Sequence, residues 1–411
     1  MPWQAAGAPG PADRIAAPVP DAPSPAPTAV VADVGWVNGL AAIRSLGRHG
    51  VRVLAVDHRP WALGFRSRYA TPVVAPDPGV DEDGFVAALA RLGATLAAPV
   101  PVFATHDEYV NLIARRSAEL AAAFRPCSPR WEVLERIQRK RHQLEVALAC
   151  GVPVPETRHP ADAAEALAAA RELGYPVMVK PSDPVGFKRL HNRQAFRCET
   201  DAELESAYAQ TEAFEAMVQE YVPGGDDHLY TLGSYVAADG QALGVFTGRK
   251  LRQTRRHMGV CRVAEAVWVP EVAEHGLRLL RELEFHGISQ VEFKLDPRTG
   301  EHKLIEVNPR LWQWHGLATA CGVDLTHIAY LDLIGRRPPP RQMTNAGRRW
   351  AISFMSGARH AVQRPPYTDA LLARDDPRPA LVQIGRVARG RMHGARRGAA
   401  ARAAARSGAC G

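Results

Sequence analysis

The sequence predicts an α/β front half followed by an α+β half, and three stretches carry that expectation. AVVADVGWVNGLAAIRSLGRHGVRVLAVD (29–57) reads strand, loop, helix, strand. PVPVFATHDEYVNLIARRSAELAAAF (99–124) adds another strand, loop and helix. QVEFKLDPRTGEHKLIEVNPR (290–310) reads as an antiparallel hairpin with acids on both strands. The 411 residues leave room for two or three domains.

Residues 1–28 are mostly Pro and Ala, too poor in large apolar side chains to offset their ordering entropy, and are read as a disordered leader. The fold begins with the apolar strand Ala29–Ala32. Leu40, Ile43, Leu46 and Gly47 then follow helical spacing, Gly50 ends the helix, and VRVLAVD is the next strand. A parallel β-α-β unit results. Its loop lacks G-x-G-x-x-G, which argues against a nicotinamide dinucleotide. His106, Asp107 and Glu108 precede the following helix, where acids either cap the helix or face a substrate.

A single helix is expected from about Trp131 to Cys150, closed by Gly151, and another from Ala161 to Leu173 before the strand GYPVMVKP. A strand, a Gly-Gly-Asp-Asp turn and a strand fill Met217 to Val236. A strand pair spans Gln241 to Glu265, and a helix runs from Glu271 to Phe285. RRPPP reads as a linker, followed by a short irregular segment ending near DDPRPAL.

Strands alternate faces. Glu292, Lys294 and Asp296 therefore share one face of their strand, and Leu304, Glu306 and Asn308 one face of theirs. Pairing Asp296 with His302 puts Glu292 opposite Glu306, with Asn308 on the diagonal. Like charges so placed repel by roughly 3 kcal/mol at an effective dielectric near 20. Lys294 could offset them and leave an ordinary solvated face. So could a divalent cation held by two carboxylates and an amide oxygen, an all-oxygen set that suits Mg2+. Arg310, beside Asn308 and Pro309, is suited to phosphate oxygens.

The net charge of +8 suggests nucleic acid, but its location argues otherwise. From residue 386 onward there are seven arginines and no acid, and the remainder is near neutral. That tail is read as disordered, either simply solvated or a weak contact for an anionic surface. No specific nucleic-acid partner is expected. The six cysteines form no C-x-x-C pair and suit neither zinc nor a disulfide framework. With no apolar run of spanning length and no secretory signal pattern, a cytoplasmic location is expected.

VEFKLD followed by IEVNPR resembles the metal-binding end of the ATP-grasp superfamily, and the resemblance extends from about Ala29 to Leu333. It implies a Rossmann-like pre-ATP-grasp domain (29–128), then an ATP-grasp domain of two α+β subdomains (129–337), a C-terminal extension (338–385) and the basic tail (386–411). It implies ATP with Mg2+ (or Mn2+) as cofactors, the metal on Glu292, Glu306 and Asn308, and Arg310 on the transferring phosphate. RKRHQLEVALACGVPVPET resembles the opening helix and turn, with Lys140 on phosphate, and GYPVMVKP resembles the strand carrying a second phosphate lysine, Lys180. VQEYVPGGDD resembles the hinge that reads adenine, so Gln219, Glu220, Val222 and Asp226 become nucleotide-binding candidates, Asp226 (or Asp227) through the ribose. GRKLRQ puts Lys250 and Arg252 on one face toward the γ-phosphate or an acidic substrate. SDPVGFKRLHN departs from the glycine-rich flap common in the family, with Lys188 or His191 as substitutes.

The chain most resembles the carboxylate-amine ligase branch. That implies activation of a small-molecule carboxylate as an acyl phosphate and its coupling to an amine. An ATP-dependent carboxylase or kinase, or a nucleotide-binding regulator without turnover, stay open. The acceptor pocket is expected from Val34–Gly39, Ala104–Glu108 and Leu311–Ala318, with His315 either a general base or a pocket wall.

Overall fold

The computed structural model describes residues 26–182, 187, 190–191, 195–254, 259–352 and 366–387. The leader through residue 25, most of the Ser182–Asn192 segment with Lys188, and the tail beyond residue 387 lie outside the described residues.

The first half is the expected parallel α/β unit. Strands β1 (Thr28–Ala32), β2 (Arg52–Asp57), β3 (Ala70–Val74), β4 (Val100–Ala104) and β5 (Phe124–Pro126) form a sheet in the order β3-β2-β1-β4-β5. Helices α1 (Val37–Arg48), α2 (Glu82–Gly93) and α3 (Asp107–Arg115) make the crossovers. Gly50, at φ 76°, takes the left-handed conformation that closes α1. The strand order reverses between β1 and β4, so the loops after these strands flank a crevice, the usual ligand position in such sheets.

The stretch read as one helix is two, α4 (Trp131–Gln138) and α5 (Lys140–Ala149). Arg139 between them is extended, at φ −83° and ψ 112°, and the Lys140 amide donates to the Ser182 carbonyl (3.2 Å). The break makes Lys140 the first residue of a helix. Periodicity alone could not show it, because the apolar spacing continues across the break.

A small antiparallel sheet follows. It consists of β6 (Thr157–Arg158), β7 (Val177–Pro181), β8 (Phe196–Cys198) and β9 (Ala216–Glu220) in the order β6-β9-β7-β8, with α6 (Ala163–Leu173) and α7 (Asp201–Thr211) on it. Its core is self-contained: Val177, Val179 and Val218 pack against Ala166, Ala170, Leu204 and Tyr208. Asp162 and Thr200 cap the two helices through their side chains.

The large sheet contains β10 (Leu229–Val236), β11 (Ala242–Gln253), β12 (Cys261–Ala266), β13 (Gly287–Leu295) and β14 (His302–Asn308), with α8 (Pro270–Glu282) packed on it and α9 (Gly316–Ala320) and α10 (Leu325–Leu333) after it. The segment read as irregular contributes strands instead: β15 (Arg341–Gln342) pairs with β11, β16 (Arg349–Ala351) with β12, and β17 (Tyr367–Asp369) with β16. At two or three residues these strands are too short to show alternation.

The first and last parts of the chain share a core. Leu40, Ile43 and Leu46 of α1 join Trp312, Trp314, Leu317 and Leu371 in one cluster. Arg44, on the same helix, is buried and pairs with the fully buried Asp376 (3.0 Å). Arg44 also donates to the Leu371 and Asp376 carbonyls (2.8 Å each), and Ser67 and the Arg68 amide donate to the Asp376 carboxylate. Such a pair adds little over an apolar contact, but losing one partner strands a buried charge. Asp376→Ala should therefore cost about 3–5 kcal/mol, read as a lower thermal midpoint, whereas Asp239→Ala, which breaks the exposed Arg337 pair, should leave the midpoint nearly unchanged.

Candidate nucleotide and metal site

One irregularity decides what the β13–β14 pair presents. Glu292 lies opposite Glu306 and Gln290 opposite Asn308, as the alternation predicts. The register then shifts between Glu292 and Phe293, with Ile305 the extra residue on β14. His302 consequently faces Leu295 rather than Asp296, and Leu304 pairs with Phe293 in the core instead of sharing the acid face.

Lysines from two other elements, and not Lys294, balance the opposed acids. Lys250 Nζ on β11 is 2.6 Å from Glu292 Oε1, and Lys140 Nζ at the start of α5 is 3.5 Å from Glu306 Oε2. Gln290 Nε2 donates to Glu292 Oε1 (2.8 Å), and Asn308 Nδ2 donates to Glu306 Oε1 (3.0 Å). Burial and the neighbouring Glu306 push the Glu292 pKa up against the pull of Lys250. Burial also acts upward on Glu306, but Lys140, Asn308, Lys250 and Arg310 outweigh it and hold its pKa below the usual carboxylate value.

Arg310 donates to Asp107 (2.6 and 3.1 Å) and to Asn308 Oδ1 (3.2 Å). The sequence pattern predicts a helix cap or a substrate contact for Asp107. No side-chain hydrogen bond caps α3, and Asp107, through Arg310, joins this helix to the end of β14. Lys180 projects from β7 into the same cleft, where its Nζ donates to Gln219 Oε1 (2.7 Å). Burial and the positive charge of Lys140 push the Lys180 pKa down to about 7.

Other candidates take different places. A register shift between Lys250 and Arg252 breaks the alternation of β11, so Lys250 is buried while Arg252 is exposed, and the two do not share a face. Gln219 is buried and spends its side chain on Lys180 and on Thr157 Oγ1 (2.8 Å), so it orients a lysine rather than facing a nucleotide. The Glu220 carboxylate accepts from Lys303 (2.5 Å), Arg298 (2.7 Å) and the Glu156 amide (3.0 Å), leaving only its backbone for a base. Val222 is buried just beyond it. The Asp226 carboxylate accepts from the Gln253 amide (2.9 Å) and Nε2 (3.1 Å). Asp227 accepts from the adjacent His228 (3.0 Å). His191 stacks on Phe187 with ring centroids 4.5 Å apart.

Asn38 joins the three segments expected to wall an acceptor pocket. Its Nδ2 donates to the Thr105 carbonyl (3.1 Å), and its carbonyl accepts from His315 Nε2 (3.0 Å). Burial pushes the His315 pKa down to about 4, and its ring packs edge-on to Trp312. His315 is thus buried, with its Nε2 engaged by a backbone carbonyl.

The Glu292 and Glu306 carboxylates lie together with the Asn308 amide, whose Nδ2 faces Glu306 and whose Oδ1 accepts from Arg310; two carboxylates and, after a turn of that amide, its oxygen would fit a hard divalent cation such as Mg2+ or Mn2+. Among the described residues no group of three or more His, Cys, Asp or Glu is gathered to hold a metal, so the amide of Asn308 is part of the argument. Sequence reading missed Gln290 as the Glu292 partner, although its spacing of two from Glu292 was visible.

The low Lys180 pKa gives a test. A polyphosphate favours the protonated ammonium, so affinity should be flat below pH 7 and fall by up to about tenfold per pH unit above it. Calorimetry with tripolyphosphate should show this slope in the wild type and lose it in Lys180→Arg, the ligand's own titration being common to both.

Comparison with known proteins agrees with this geometry. The family described as carbamoyl-phosphate synthase L chain, ATP binding domain, matches residues 253–331. A D-aspartate ligase from Enterococcus faecium is 26% identical over 278 residues, covering 64% of this chain and 66% of that one, just under two thirds of its length. Biotin carboxylase from Campylobacter jejuni, solved with a β,γ-ATP complex, superposes with a TM-score of 0.62 at 18% identity over 76% of this chain and 72% of its own. N5-carboxyaminoimidazole ribonucleotide synthetase, solved with ADP, gives a TM-score of 0.61 at 16% identity over 79% and 80% of the two chains. With two opposed acids on a β-hairpin and cations from both flanking sheets, the chain has the ATP-grasp fold.

Proposed function

We propose that the chain is an ATP-dependent ligase of the carboxylate-amine branch, acting in the cytoplasm on a small-molecule carboxylate and amine. The observation that carries this reading is the Glu292–Glu306 pair, matched by Lys250 and Lys140 in a cleft that also holds Lys180 and Arg310. Similarity to a D-aspartate ligase supports the C–N bond. No helix among the described residues is long and apolar enough to cross a membrane.

In this reading a carboxylate oxygen of the substrate attacks the γ-phosphorus of ATP, and the bond to the ADP oxygen breaks. The amine nitrogen then attacks the acyl carbon, and phosphate leaves. Lys180, Lys140 and Lys250 neutralise phosphate oxygens, and Arg310, held by Asp107, offers a planar donor pair to the transferring group. Glu292, Glu306 and Asn308 would hold Mg2+, which when bound would supply charge neutralisation for ATP. The backbone of Glu220 and Val222 would read the base. A second reading, ATP-dependent carboxylation, is supported by the likeness to biotin carboxylase.

The test is incubation with Mg-ATP, hydroxylamine and pooled amino acids and small carboxylic acids. ADP release with a hydroxamate detected by mass spectrometry is the expected result. AMP release would refute acyl-phosphate chemistry. Glu306→Gln should lower ADP formation at least about 100-fold with the melting temperature nearly unchanged, and undiminished turnover in that variant would remove Glu306 from the metal set.

A further inference from the structure

Lys294 stands out among the lysines of the cleft. It is only 9% exposed, and it lies on β13 one pleat beyond Glu292 on the same face. Its neighbours all have polar partners: Lys250 has Glu292, Lys140 has Glu306, Lys180 has Gln219, and Lys303, directly across the ladder, has Glu220 and Asp296. Among the described residues no carboxylate lies within ion-pair distance of Lys294. Its Nζ stands 5.0 Å from the centroid of the Tyr221 ring, and Arg197 Cζ is 4.5 Å from that same ring. Asp226 and Asp296 act on this ammonium only from beyond ion-pair distance, the ring contact adds limited compensation for its desolvation, and Arg197 works against it.

Position supplies the missing partner. Tyr221 lies between Glu220 and Val222 in the hinge, while Glu292 belongs to the metal-facing set. Lys294 therefore stands between the phosphate end of the site and its base end. Asp226, expected to hold the ribose, has its carboxylate taken up by Gln253. The nucleoside end thus presents a buried donor.

We propose that Lys294 is a nucleotide-specificity residue that donates to an acceptor on the nucleoside moiety, a ribose oxygen or a purine ring nitrogen, with Tyr221 as its aromatic backing. The proposal deepens the nucleotide reading above and rests on it.

Calorimetry on the full chain with Mg-ADP, 2′-deoxy-ADP, 7-deaza-ADP and tripolyphosphate tests it. Lys294→Met keeps the length and apolar stem but removes the donor. It should weaken Mg-ADP binding about tenfold or more and leave tripolyphosphate unchanged. Lys294→Gln, which keeps a neutral donor, should fall between the two and covers poor folding of the methionine variant. Loss of discrimination against 2′-deoxy-ADP in Lys294→Met assigns the contact to the ribose, and loss against 7-deaza-ADP assigns it to the purine. Equal Mg-ADP affinity in wild type and variant overturns the proposal, as does an equal loss for tripolyphosphate, which would make Lys294 a general phosphate attractor. A wild type that binds tripolyphosphate but not Mg-ADP would refute the nucleotide reading itself.

Discussion

Two carboxylates held face to face across one rung of a β-ladder are the constraint around which this protein is arranged. At about 5 Å their repulsion is roughly 3 kcal/mol at an effective dielectric near 20, and a fold keeps such a pair only by bringing positive charge to it. The charge arrives from separate parts of the chain: Lys250 from β11, which lies beyond β10 in the same sheet, Lys140 from the first turn of α5, and Arg310 from the loop after β14. Arg310 in turn is held by Asp107, from the first domain. The break at Arg139 and the contact between domains can both be read as conditions for delivering these cations.

The same site spans two sheets with different attachments. Glu292 and Glu306 belong to the large sheet, whose core continues into the first domain. Lys180 belongs to the small sheet, which has its own core. Between them the end of β9 is tied to the β13–β14 hairpin by ion pairs: Glu220 and Asp296 share Lys303 and Arg298. Charged contacts hold direction without burying much apolar surface, which suits a joint between a fixed platform and a smaller part.

Much of this was legible because strand alternation is a strict rule. Glu292, Glu306 and Asn308 followed from period two and a Pro/Gly loop, and the β-α-β unit followed from apolar runs and Gly50. What escaped were local departures from period. Ile305 and the shift after Lys250 each reset a face, which moved Leu304 into the core and Arg252 out to solvent. Contacts across long separations escaped as well. Asp107 looks like a helix cap until Arg310, 203 residues on, is placed beside it. Lys294, one of two candidates for offsetting the acids, shows the same limit: same-strand spacing puts it near them, but its long side chain extends toward Tyr221.

The Arg44–Asp376 pair has a consequence for how the chain is made. Its two members are 332 residues apart in sequence. At roughly 5–20 residues per second, a ribosome completes the parallel sheet and α1 on the order of tens of seconds before Asp376 emerges. Through that interval the face of α1 that carries Arg44 and Ser45 lacks its later partners, Asp324 for Ser45 and Asp376 for Arg44. The nascent first domain thus offers an amphipathic helix to whatever surrounds it until the last strands arrive. Synthesis rate and chaperone supply therefore bear on the yield of folded protein more than the final stability of the clasp would indicate.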